Sequence, residues 1–101
     1  DVYKRQVVIR FDRQNVQYEQ ALYDAVSRAL DRKPETAFDL VAVHPNAGST
    51  AQVILNSSAA RRNAETVLRT LVDMGLPATR INMTSVGSTS AQSNEVRVYV
   101  R

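Results

Sequence analysis

The chain has 101 residues, 44% of them hydrophobic, with no cysteine and a formal net charge of +3. That length suits one domain with a single core. The missing cysteines exclude a disulfide framework and thiol chemistry. A charge this mild, scattered among acids, does not point to nucleic acid, and no apolar run approaches the roughly 18 residues of a membrane-spanning helix.

In chain order, Asp1-Val2-Tyr3-Lys4-Arg5-Gln6 reads as the in-frame translation of a transposon adapter used in preparing DNA libraries. Such scars are set aside from fold reasoning. Residues 7–101 are then expected to form a single domain, the C-terminal part of a longer protein whose start, with any signal peptide or anchor, is missing. Without the scar the balance is 11 basic to 9 acidic residues, or +2.

Val7 to Phe11 is β-rich and ends at Asp12, which predicts a first strand. From Tyr18 to Asp31 apolar residues recur at Tyr18, Ala21, Leu22, Ala25, Val26, Ala29 and Leu30, the stripe of an amphipathic helix. Arg32 and Lys33 suit its C-terminus and Pro34 stops it. Tyr18 and Tyr23 read as edge-of-core residues. Phe38 to Val43 is a second strand, with the apolar run of an interior position.

His44 to Thr50 is expected to be a loop. A second helix is expected to begin near Ser57 or Ser58, either a good N-cap. Its stripe is Ala60, Ala64, Val67, Leu68, Leu71 and Met74, closed by Gly75 and Pro77. Ile81 to Val86 predicts a third strand, and Gly87 to Asn94 a turn. From Glu95 to Arg101, Val96, Val98 and Val100 alternate with polar positions, which predicts a half-buried strand closing the chain as a hairpin. The order β-α-β-α-β-β implies an α+β two-layer sandwich, both helices on one face of a mixed sheet.

No catalytic constellation emerges. His44, the single histidine, has no Cys, His or acidic neighbours at ligand spacing, so neither a metal nor a cofactor is expected. None of the serines lies in a Gly-x-Ser-x-Gly turn. RNA binding would require more sheet aromatics than Phe11, Phe38 and Tyr99 supply.

The stretch from Asn56 to Gly87 carries a recognisable order: an Asn, a helix with Ala64, Val67 and Leu71, the turn Gly75-Leu76-Pro77-Ala78-Thr79-Arg80, then a strand reaching a glycine. It resembles the OmpA-like peptidoglycan-binding domain of bacterial envelope proteins, and Asn94 to Val100 is similar to that family's last strand. The resemblance covers nearly all of residues 7–101. It implies a non-catalytic periplasmic domain of a Gram-negative bacterium, held at the outer membrane only through an N-terminal anchor, lipoprotein-like, and missing here. Family members pair an aspartate and an arginine with the zwitterionic end of the peptidoglycan stem peptide. Here the arginine position is Asn63, and the aspartate position falls on Gly48 or, aligned on His44, on Asn46.

Two functions follow from the resemblance. One is peptidoglycan association through an altered or weakened stem-peptide site using Asn46, Asn56, Arg62 and Asn63. The other is a degenerate domain serving as a protein-interaction or assembly module among envelope proteins. A charge-assisted hydrogen bond contributes about 1.5–3 kcal/mol against about 1 for a neutral one. Losing both charges therefore weakens binding by on the order of a hundredfold.

Overall fold

A computed structural model describes residues 6–101. The set-aside residues 1–5 lie outside the described residues; Gln6 opens the first strand. The elements are β1 (Gln6–Arg10), α1 (Glu19–Arg32), β2 (Phe38–Pro45), α2 (Thr50–Asp73), a 3-10 turn (Ala78–Arg80), β3 (Ile81–Ser88) and β4 (Glu95–Val100). This is the expected α+β sandwich with a four-stranded mixed sheet. Among the described residues, no helix is long and apolar enough to cross a membrane.

The strand order is β1-β4-β2-β3. β4 runs antiparallel to both β1 and β2, whereas β2 and β3 are parallel. The expected closing hairpin is therefore corrected: β3 and β4 follow one another in sequence but are not neighbours. Side-chain patterning explains the choice. Val96 and Val98 of β4 are buried, opposite Ile9 and Val7 on one side and Ala42 and Leu40 on the other. A strand with one dry face belongs between two apolar strands. β3, exposed through most of its length, takes the edge.

The core lies between this sheet and the helices. Leu22, Val26 and Ala29 of α1 and Ala60, Ala64, Val67 and Leu71 of α2 pack with Ile9, Phe38, Leu40, Ala42, Val96 and Val98. Tyr18 belongs to it, edge-on to Phe11 at 6.0 Å, and its hydroxyl shares a 3.0 Å hydrogen bond with Thr70 Oγ1 that ties the start of α1 to α2. Tyr23, by contrast, is 53% exposed. The opposite face mixes Val8, Val41 and the buried Val43 with charged pairs: Glu95 pairs with Arg97 at 3.0 Å and Arg10 at 3.8 Å, and Asp39 with Arg101 at 3.5 Å. Hydrogen bonds that its guanidinium donates to Tyr99 and Glu95 hold the Arg97 pKa above its ordinary value.

Helix α2 begins seven residues or more before the expected Ser57 or Ser58. Gly48 turns the chain at φ +95°, and the Ser49 side chain then accepts the Gln52 N–H at 3.1 Å. That hydrogen bond satisfies one of the helix's orphan donors, so Ser49 is the N-cap. Asn56 accordingly sits inside the helix instead of opening it, and the preceding loop is only residues 46–49. Ser49→Ala should cost about 1 kcal/mol of stability. Denaturant unfolding should show it as a lower midpoint with an unchanged slope.

Candidate functional site

β2 places alternate side chains on alternate faces. Phe38, Leu40 and Ala42 point into the helix-side core, so His44, next in that row, faces α2 beyond the end of the core. A pocket of about 450 Å³ opens there, lined by His44, Val53, Ile54, Ser57, Ser58, Arg61 and Arg62. The strand beside it comes close: a Cβ on Gly87 would lie 3.1 Å from His44 Nε2 and 3.2 Å from Asn46 Cγ. Gly87 thus lets the β3 backbone pass directly beneath His44 and Asn46.

The pocket's chemistry is cationic and hydrogen-bonding. Arg61 and Arg62 are exposed, and neither guanidinium has an ion-pair partner among the described residues. Ser57 and Ser58 add hydroxyls one turn earlier. His44 Nδ1 is buried without a hydrogen-bond partner, a state that leaves a polar atom's desolvation uncompensated. Among the described residues, no carboxylate lines the pocket. Such a set suits an anion, since guanidinium forks can present paired N–H donors to a carboxylate. Among the described residues no group of three or more His, Cys, Asp or Glu is placed to hold a metal.

Of the four residues expected to bind ligand, one is among those that line this pocket. Arg62 lines the pocket. Asn46 is exposed at the end of β2, where its N–H extends the ladder to Ser88 O at 3.0 Å, and it reaches the pocket's sheet side only through its proximity to Gly87 and His44. Asn56 and Asn63 fall on another flank of α2. With Thr70 they form a row at seven-residue spacing, and Thr70 bonds Tyr18. Asn63 lies about 100° around the helix from Arg62, and of this row it is Thr70 that meets the start of α1. Asn56 accepts a 3.5 Å contact from Gln52 along the same helix.

The site therefore includes residues that sequence reasoning left aside: His44, Ser57, Ser58 and Arg61. The period-two row Phe38, Leu40, Ala42, His44 was the available signal for the histidine. It required extending the strand through His44, which Pro45 discouraged. Compared with known proteins, the chain matches no protein-family model and no curated protein.

Proposed function

We propose that this chain is a non-catalytic domain of the bacterial cell envelope that binds the carboxylate end of a peptidoglycan stem peptide at the α2 pocket. One observation carries the reading: Arg62 and Arg61, neither paired with an acid among the described residues, converge with Ser57 and Ser58 on a pocket floored by His44. The resemblance from Asn56 to Gly87 supplies the ligand class and the periplasmic setting. The site differs from that resemblance's pattern in recognising one end of the zwitterion. Two guanidiniums answer the carboxylate, while among the described residues nothing acidic in the pocket answers the ammonium.

Titration of the isotopically labelled chain with a diaminopimelate-containing muropeptide tests this. Amide shifts should cluster at Ser57, Ser58, Arg61 and Arg62. Arg62→Ala should weaken binding roughly tenfold or more, the worth of one charge-assisted hydrogen bond. A muropeptide whose terminal carboxylate is amidated should bind the wild-type chain no better than the acid binds that variant. Unchanged spectra at millimolar muropeptide would overturn the assignment.

A further inference from the structure

Among the described residues, β3 is the edge of the sheet next to β2, with no strand on its other side. Asn82 through Gly87 are all exposed, although they belong to an eight-residue strand. An edge of this kind presents a row of free backbone N–H and C=O groups, and natural proteins ordinarily guard it with lysine, proline, a bulge or a cover. β3 has none of these. Its sequence, Ile81-Asn82-Met83-Thr84-Ser85-Val86-Gly87-Ser88, holds no charge and no proline. Its register with β2 runs unbroken from Phe38↔Ile81 to Pro45↔Ser88, so no bulge bends it away. The opposite edge, β1, carries Arg10.

We propose that β3 is a self-pairing edge, through which two copies of the chain join antiparallel about a two-fold axis at Thr84 into one eight-stranded sheet. Such an axis, perpendicular to the sheet, keeps the helices of both copies on the same face. It sets Thr84 against its own copy, Met83 against Ser85 and Asn82 against Val86. Because the strand is uncharged, no like charges meet across the axis, the usual obstacle to a strand pairing with itself. Met83, 37% exposed on the helix face, and Val86, 44% exposed on the other, both gain a neighbour. The charge-free edge selects a second copy over an acidic or basic partner strand, which would find nothing complementary here. Strand pairing alone buries little area, so association falls in the roughly micromolar range or weaker.

Sedimentation velocity of the full chain from about 1 to 500 μM should show a monomer–dimer equilibrium. Thr84 is exposed, so Thr84→Lys and Thr84→Glu should fold, with circular dichroism as the check, yet each should remain monomeric because the axis forces its like charges together. An equimolar mixture of the two should regain the dimer. A wild-type chain that stays monomeric throughout would overturn the proposal, as would a dimer indifferent to either Thr84 variant.

Discussion

Phe38→Ala is expected to remove about 3–5 kcal/mol of stability, a large share of the roughly 5–15 kcal/mol typical of a domain. Phe38 is 1% exposed and opens β2, packed in the core beneath α1 with Leu22, Val26 and Val98. The space beside it is already imperfectly filled. A pocket of about 200 Å³ lies there, lined by Phe38, Val7, Leu22, Ala25, Val26, Arg28, Val98 and Val100. Truncating the ring would merge new volume with that space, and a central strand held on both sides cannot move in to close it. Loss of transfer energy and an uncollapsed cavity then add. Urea unfolding followed by circular dichroism should find the variant largely unfolded at low denaturant. Tyr23→Ala, which changes an exposed aromatic, should stay within about 0.5 kcal/mol of wild type.

Gly75→Val is expected to cost about 1–3 kcal/mol for a reason unrelated to packing. Gly75 sits at φ +105°, and an added Cβ would find no atom within 4 Å. The cost is therefore conformational. The glycine lets α2 end in a Schellman motif: Gly75 N–H donates to Val72 O at 2.9 Å and Leu76 N–H to Leu71 O at 3.2 Å. Leu71 and Leu76, the two ends of the longer bond, are both buried. A β-branched residue cannot hold that backbone without strain, so the turn would shift and pull Leu76 from the core. Gly75→Asn should cost less, because asparagine tolerates positive φ better. The ranking of valine below asparagine in denaturant midpoint is the check.

The C-terminal end of α2 was legible because Gly75 and Pro77 leave few alternatives. α1 was legible because Leu22, Val26 and Ala29 repeat at helical spacing and Pro34 closes them. The N-terminal end of α2 was not. Ser57 and Ser58 are locally as good caps as Ser49, and the choice went to the serine that follows a glycine able to turn at positive φ. Ile54 and Leu55, 60% and 64% exposed, show that the first turns of α2 are not fixed by core burial, so apolar periodicity could not locate them. Strand order was invisible for another reason: alternation in Val96, Val98 and Val100 identifies a strand but not its neighbours. Of the expected ligand residues, spacing alone already separates Asn63 from Arg62 on the helix. Only the tertiary arrangement of β2 beneath α2 reveals which flank meets a cavity.

The position of β4 imposes an order on how this domain can be made. The last of the four described strands to be synthesised occupies the middle of the sheet, and until it arrives β1 has no strand to pair with and β2 lacks one of its two. A nascent chain still inside the ribosome at Asn94 can form α1 and α2 but holds a split sheet with Ile9, Leu40 and Ala42 unsealed. Productive folding therefore waits for Val100 to clear the exit tunnel. During that interval the chain depends on whatever shields its open strands, since exposed apolar edges of this kind are where aggregation starts.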